Sequence, residues 1–127
     1  MFTSSVLSFK LQGAKTVGWI SEEHPFASVA CEGIEPIAGD YGLQFLKGIV
    51  VPYSPTEVLP ETGEKIKEAV KEMQGFDPDV LFFCGYPAGG FYLMDFLQEI
   101  NYSPKGICIT PFLTDWRKFF FLFTNSF

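Results

Sequence analysis

Four short apolar runs alternate with helical patterns along this chain, and this alternation restricts the fold more than any other feature. The run VLFFCGY is apolar at nearly every position, which is typical of a strand that helices cover on both faces. Strands and helices in strict alternation imply parallel pairing through right-handed crossovers. We therefore predict an α/β fold, a doubly wound parallel sheet built from alternating β-α units. The predicted strands are TVGWIS (16–21), LKGIVVPY (46–53), VLFFCGY (80–86) and GICITPF (106–112).

Three amphipathic patterns fill the intervals between these strands, each with apolar residues at helical spacing. Pro36 interrupts the first pattern, so that helix is expected to bend or end there. Thr62 is expected to cap the second helix. The predicted core faces are Phe26, Val29, Ala30, Gly33, Ile34 and Ile37 in the first helix, Ile66, Ala69, Val70 and Met73 in the second, and Leu93, Phe96, Leu97 and Ile100 in the third.

The size and charge of the chain narrow the classes of protein that it can belong to. Its 127 residues suit one domain, or one lobe of a larger protein. The formal net charge is −6 and no cluster of Lys and Arg occurs, so neither nucleic acid nor an anionic membrane is an expected partner. We find no pattern of a signal peptide and no apolar run long enough for a membrane-spanning helix. No cofactor is expected.

The three cysteines, Cys31, Cys84 and Cys108, match neither a CxxC pair nor the spacing of a zinc site. Cys84 and Cys108 lie in apolar strand-like runs, so each is interpreted as a small core residue. The odd number of cysteines argues against a disulfide framework. We accordingly expect neither a metal site nor a scaffold held by disulfides.

The end of the third strand is the main candidate for a binding site, because ligands of doubly wound sheets bind beyond the carboxyl ends of the strands. Tyr86 is interpreted either as a ligand contact or as a rim residue that only packs. Gly85, Gly89 and Gly90 either let backbone N–H groups approach a carboxylate or, together with Pro87, only shape a tight turn. A nucleotide is not expected, because the turn has neither G-x-G-x-x-G nor a Walker lysine. The hydroxyls of Ser21 and Thr110 are either local caps or part of a polar cleft wall.

The sequence offers no convincing catalytic group. His24 is the single histidine, and it is interpreted as an exposed or loop residue because its neighbours Glu22 and Glu23 cannot readily ligate one ion with it. No G-x-S-x-G elbow is present, and a thiol inside a strand, such as Cys84, is inert. An enzyme is therefore not expected. The alternatives that stay open are an α/β enzyme that uses Cys84, His24 or the glycine turn and a standalone flavodoxin-like interaction domain.

Two segments resemble the second lobe of type I periplasmic binding proteins, in particular the branched-chain amino acid (Leu/Ile/Val) binding family. LQGAKTVGWISEEHPFASVACEGI (11–34) is similar to the opening of that lobe, a strand, an acidic loop and a helix. FDPDVLFFCGYPAGGFYLMDFLQEINYSPKGICIT (76–110) resembles its "pDvvf" strand, small-Gly-Tyr turn, helix and "lGy-x-pk" stretch before the next strand. The resemblance covers roughly residues 9–116.

The resemblance implies a bilobal clamshell that closes on an amino acid or a similar small polar ligand, with residues 1–116 as a partial second lobe. Tyr86 matches the tyrosine that lines the cleft from this lobe. The stretch from Thr110 to Phe112 matches the loop in which amino-acid binders carry an acid for the ligand's ammonium group. Phe112 stands at that place here, or the acid is displaced to Asp115. An amide, a carboxylate or an aromatic compound is therefore as reasonable a ligand as an α-amino acid.

The resemblance also implies partners and a location. A first lobe would supply the other wall of the cleft, and the assembly would serve a transporter permease or a receptor membrane region. Family members work on the periplasmic or extracellular side of the membrane. Residues 117–127, RKFFFLFTNSF, do not resemble the family and are interpreted as a non-family apolar tail. The alternative is a tail that docks on the lobe, because an exposed aromatic run promotes aggregation.

Overall fold

The structure is a computed structural model that describes residues 3–111 and 121–124, with side chains over residues 6–109. Helices and strands alternate through most of the described chain. The helices are α1 Thr3–Leu11, α2 Pro25–Glu32, α3 Ile34–Asp40, α4 Pro60–Phe76 and α5 Pro87–Glu99. The strands are β1 Thr16–Glu22, β2 Gln44–Val51, β3 Val80–Gly85, β4 Gly106–Pro111 and β5 Phe121–Thr124.

The strands form one sheet in the order β2-β1-β3-β4-β5. Strands β1 to β4 are parallel, which confirms the predicted α/β fold. Strand β5 departs from that prediction, because Phe121–Thr124 pairs antiparallel with Gly106–Ile109. The backbone of these four tail residues thus extends the parallel sheet by one strand.

Helices cover both faces of the sheet, as the apolar third strand predicts. Val80, Phe82 and Cys84 of β3 face a core formed with α1, α2 and α3. Leu81 and Phe83, the alternate residues, face a second core formed with α4 and α5. This alternation follows from the two-residue period of a strand, which sends successive side chains to opposite faces.

The predicted first helix is two helices, and its core face was predicted only in part: Ile34 is buried and Ala30 and Ile37 pack against the core, but Phe26 and Val29 do not. The chain breaks at Gly33, between α2 and α3, and Pro36 lies in the first turn of α3. Proline is tolerated there because the first N–H groups of a helix lack an intrahelical acceptor. Phe26 is 68% exposed and Val29 is 71% exposed, whereas both were predicted to be in the core. The residues that are buried on α2 and α3 are Ala27, Cys31, Ile34 and Ala38.

A disulfide between Cys31 and Cys84 corrects two predictions, that Cys84 is merely a small core residue and that the odd number of cysteines argues against disulfides. Both cysteines are fully buried, and the bond joins α2 to β3 across 53 residues of sequence. Because the disulfide requires Cys31 to point at the sheet, it explains which face of α2 packs inward. Cys108 is buried in the same core, as predicted.

The other two predicted helices have the predicted core faces. Ile66, Ala69, Val70 and Met73 of α4 are all buried, and so are Leu93, Phe96 and Leu97 of α5, while Ile100 is partly buried. The predicted cap was wrong, because α4 has Leu59 as its N-cap and Pro60 at its first position, with Thr62 inside the helix. Proline suits that position because its fixed φ matches the helix.

Helix α1 was not predicted from the sequence, and it lies before the first predicted strand. Its Val6 and Phe9 are buried, and the Phe9 ring meets the Phe82 ring edge to face with centroids 6.1 Å apart. Among the helices of residues 3–111, none is both long and apolar enough to cross a membrane.

Candidate functional site

Three neighbouring parallel strands bring their carboxyl ends together at one edge of the sheet. In the strand register, Glu22 of β1 pairs with Val51 of β2, and Ser21 pairs with Cys84 of β3. The residues that follow β2 and β3 therefore meet the end of β1, although 30 residues or more separate them in sequence. This edge is where the α/β topology places ligands.

The carboxylate of Glu22 links the two loops that follow β2 and β3. Its Oε2 atom accepts a hydrogen bond from the backbone N–H of Ser54 at 3.0 Å. Its Oε1 atom accepts one from the backbone N–H of Tyr86, also at 3.0 Å. Glu22 and Ser54 are both buried, so these charge-assisted bonds are shielded from water and hold the loops at a fixed separation.

Two glycines leave the space that the Glu22 side chain fills. A methyl group added at Gly85 or at Gly89 would overlap Glu22 Oε1. The glycine turn therefore does accept a carboxylate between backbone N–H groups, and this carboxylate is the protein's own. We call the backbone N–H groups of Ser54 and Tyr86, together with Gly85 and Gly89, the amide cradle.

Burial raises the pKa of the Glu22 carboxyl above its ordinary value, and the bonds from Ser54 and Tyr86 oppose that rise. Desolvation also raises the pKa of the Tyr86 hydroxyl, with further contributions from Tyr53 and from the charge of Glu22. Both shifts have the same main cause, because burial disfavours the charged form of each group.

Four rings form an aromatic cluster at the same edge of the sheet: His24, Phe26, Tyr53 and Tyr86. The His24 centroid lies 4.8 Å from that of Tyr53, 5.2 Å from that of Tyr86 and 5.6 Å from that of Phe26. Tyr53 and Tyr86 meet edge to face at 5.1 Å. Tyr53 is 37% exposed, and the ring of Phe26 is exposed as well, so the cluster presents ring surface to solvent.

Solved structures of several ligand-binding proteins share this fold. A branched chain amino acid ABC transporter periplasmic ligand-binding protein from Burkholderia xenovorans LB400 matches with a TM-score of 0.71, 12% identity, and coverage of 91% of this chain and 30% of its own. An extracellular ligand-binding receptor from Rhodopseudomonas palustris HaA2 matches with a TM-score of 0.64, 18% identity, and coverage of 86% and 29%. An ABC transporter substrate-binding protein from Desulfitobacterium hafniense, in complex with Leu, matches with a TM-score of 0.62, 11% identity, and coverage of 88% and 35%.

The chain shares the α/β fold of type I periplasmic binding proteins. It spans between 25% and 35% of the length of six of the solved chains that it matches. No family model matches the chain, and no curated protein matches its sequence. The likeness therefore concerns the fold, and the site has to be argued from its own residues.

The residues that were predicted for the site lie in different surroundings from one another in the structure. Tyr86 is half-buried in the aromatic cluster, and Pro87 is the first residue of α5. Gly85 lies against Glu22. Ser21 is fully buried, and its hydroxyl donates to the backbone carbonyl of Glu22 at 3.0 Å.

Two further predicted residues belong to the last parallel strand or follow it. The backbone of Thr110 pairs with Cys84 of β3, so this position is one strand away from the cradle. Phe112 lies outside the described residues, and so does Asp115. The predicted role of this loop in ligand binding stays a prediction.

Glu22, Tyr53, Ser54 and His24 were not predicted as site residues, although Glu22, His24 and Ser54 follow predicted strands and Tyr53 is the last residue of one. His24 is half-buried rather than exposed, because it is the N-cap of α2 and its Nδ1 atom accepts from the backbone N–H of Phe26 at 3.3 Å. A signal for Glu22 is present in the sequence. An acid that ends a buried strand needs donors, and a glycine turn after a neighbouring strand can supply them together with the necessary space.

In residues 3–111 and 121–124, no three His, Cys, Asp or Glu side chains are grouped so that they could hold a metal ion. The two acidic side chains at the end of β1 differ in their surroundings. Glu22 is engaged with backbone N–H groups, while Glu23 points to solvent. The chemistry of this edge is thus that of a hydrogen-bonded carboxylate and a group of aromatic rings.

Proposed function

We propose that this chain forms one wall of a cleft that binds a small polar ligand, and that residues 1–116 are a partial second lobe of a clamshell of the type I kind. The observation that carries the proposal is that the aromatic cluster and the buried Glu22 lie together at the carboxyl ends of β1, β2 and β3. In sheets of this topology that edge is the ligand-binding edge.

The chemistry of the wall suits a small molecule with both apolar and polar parts. The rings of Phe26, Tyr53 and Tyr86 offer apolar surface, and the two tyrosine hydroxyls can each donate and accept a hydrogen bond. The bonds from Glu22 to the two loops fix the positions of Ser54 and Tyr86 before a ligand arrives. A preformed site loses less conformational entropy on binding, so it binds more tightly.

The remaining parts of the proposal are supported by the likeness to solved ligand-binding proteins. A first lobe supplies the opposite wall, and the closed clamshell delivers its ligand to an ABC transporter permease or signals through a receptor membrane region. The ligand is an amino acid, an amide or another small polar compound. The site works in the periplasm or outside the cell, and the Cys31–Cys84 disulfide supports this location because such bonds persist in oxidising compartments.

The test is a titration of the ¹⁵N-labelled 127-residue chain with amino acids, amides, small carboxylates and amines, followed by NMR. One wall alone is expected to bind weakly, and NMR detects weak binding. At least one compound should shift the amide signals of Tyr53, Ser54 and Tyr86 in a saturable manner. In a protein that contains both walls, a ligand at 100 times its Kd should add about 2.7 kcal/mol to the free energy of unfolding.

A Tyr86→Ala variant is the control for the location of binding. It removes the ring but keeps the backbone N–H that Glu22 needs, so it should lose the ligand-induced shifts while remaining folded. Shifts that persist in this variant, or a complete absence of shifts across the panel, would count against a ligand site at this edge.

A further inference from the structure

We propose that Glu22 is a specificity-determining residue, because its carboxylate occupies the amide cradle and so excludes a ligand carboxylate from this wall. The ligand then faces the aromatic cluster with an uncharged or cationic group. This inference rests on the proposed function, since it concerns the ligand of the same site.

The cradle has the features of a carboxylate-binding site. Two backbone N–H donors from different loops, those of Ser54 and Tyr86, each bond one oxygen of the same carboxylate at 3.0 Å. Gly85 and Gly89 approach Oε1 more closely than any residue with a Cβ could. The first turn of α5 lies directly beside this oxygen, and the positive end of a helix dipole favours a negative charge. A ligand carboxylate would find these favourable interactions already taken by Glu22.

The charges around the cradle also disfavour an anion. The segments that follow the three strands, 21–26, 52–61 and 85–91, contain no Lys or Arg. Their charged side chains other than Glu22 are acidic and exposed: Glu23, Glu57 and Glu61. A second carboxylate at this wall would therefore be desolvated beside a negative charge with no basic side chain from these segments to compensate it.

The charges and rings of this wall attract a cationic ligand group, and they do not repel a neutral one. The faces of Phe26, Tyr53 and Tyr86 carry negative electrostatic potential, which attracts an ammonium group. The acids of this edge add to that attraction. An amine, or the uncharged part of a polar molecule, can therefore contact the wall without displacing Glu22.

The first experiment is chemical rescue of Glu22→Ala. Acetate has the same non-hydrogen atoms as the part of the side chain that this substitution removes. Thermal unfolding of the variant is measured with increasing sodium acetate, and sodium chloride at equal ionic strength is the control. We expect a lower Tm that acetate, but not chloride, restores in a saturable manner, together with acetate-dependent shifts of the Ser54 and Tyr86 amide signals. The wild-type chain should show neither effect.

The proposal would be overturned if the Glu22→Ala chain folds and acetate changes neither its Tm nor its amide signals. Should the variant fold only when acetate is present, that result supports it. Should it not fold at all, Glu22→Gln serves in its place for the second experiment, because glutamine keeps the volume of the side chain without its charge.

The second experiment uses a matched pair of probes, 2-phenylethylammonium and 3-phenylpropionate, titrated into the wild-type and Glu22→Gln chains. Wild type should bind the cation at least about tenfold more tightly than the anion, judged from the shifts of Tyr53 and Tyr86, a preference that corresponds to about 1.4 kcal/mol. In Glu22→Gln this preference should shrink. Equal binding of both probes by wild type, or no binding of either at the cluster, would overturn the inference.

The two experiments separate this inference from the proposed function. Acetate rescue requires no ligand, so it tests the cradle even if every compound of the wider panel fails. Tight binding of a carboxylate probe to wild type would support the ligand-binding function while contradicting the assignment of Glu22.

Discussion

The Oε1 atom of Glu22 accepts a hydrogen bond from the backbone N–H of Tyr86 at 3.0 Å, across 64 residues of sequence. This bond joins the end of β1 to the turn between β3 and α5. Through Oε2 the same side chain reaches Ser54 after β2, so one carboxylate organises the ends of three strands. The candidate site is therefore built around an internal anion, and its stability and specificity should both respond to changes at Glu22.

Gly89→Ala should destabilise the chain because the new methyl group overlaps Glu22 Oε1. Overpacking of this kind typically costs about 1–3 kcal/mol. Urea denaturation of wild type and variant gives the free energies of unfolding. The effect should largely disappear in a Glu22→Ala background, because the overlapping atoms are then absent.

Gly75→Ala is the matched control for that substitution. Gly75 is also a helical glycine, in α4, but an added methyl group meets no atom within 4 Å. Alanine should stabilise this position by about 0.5 kcal/mol, because glycine has more conformational freedom to lose on folding. Equal destabilisation by both substitutions would show that Glu22 is not the cause at Gly89.

The Cys31–Cys84 disulfide should contribute strongly to stability. It closes a loop of 53 residues, for which chain entropy gives a stabilisation of about 4 kcal/mol. We expect a Cys31→Ser/Cys84→Ser double variant to unfold at clearly lower urea concentration than the oxidised wild type. Peptide mapping without reductant should recover Cys31 and Cys84 in one linked peptide.

A reductant provides the control for the disulfide prediction. It should lower the stability of wild type but leave that of the double variant unchanged. If the peptide map instead links Cys108 to either partner, the packing of α2 against β3 described above is wrong.

The stability of the chain should depend on pH through Glu22. Its folded pKa is raised above about 4.5, the ordinary value, so the folded state binds the proton more readily than the unfolded state. The resulting stabilisation is complete below about pH 4.5 and is lost as the pH rises through the folded pKa. Glu22→Gln does not titrate, so the stability of wild type relative to this variant should fall as the pH rises.

Urea denaturation of both proteins between about pH 4 and pH 7 measures this difference, whose slope cannot exceed about 1.4 kcal/mol per pH unit for one group. Other titrating groups are common to both proteins and largely cancel. A wild-type advantage that grows with pH would mean that the two N–H bonds outweigh desolvation and that the folded pKa is lowered.

The ring of Tyr86 should matter more for ligand binding than its hydroxyl does. Tyr86→Ala should weaken the binding of an aromatic amine about tenfold, since aromatic contacts of this kind contribute about 1 kcal/mol or more. Tyr86→Phe keeps the ring and should have a smaller effect. Phe76→Ala, at the far end of α4 where the ring is 46% exposed, should leave binding unchanged. Equal losses in Tyr86→Ala and Phe76→Ala would indicate non-specific binding to aromatic side chains.

Periodicity in the sequence predicted the parts of the fold that depend on local burial. The four parallel strands and the core faces of α4 and α5 follow from apolar spacing alone. The same reasoning failed for α2, where Phe26 and Val29 fit the helical spacing and yet are exposed. Ala27 and Cys31 form the inner face of α2 instead, although neither belongs to the helical pattern from which the core face was predicted.

The sequence by itself determined that strands and helices alternate, and hence that the carboxyl ends of parallel strands meet at the edge that carries Tyr86. Only the tertiary structure decided which residues contact one another at and near that edge. The Cys31–Cys84 bond and the bonds of Glu22 to Ser54 and Tyr86 join residues 53, 32 and 64 positions apart. Such contacts depend on the strand order β2-β1-β3, and the order of strands is set by the packing of the whole sheet rather than by any local pattern.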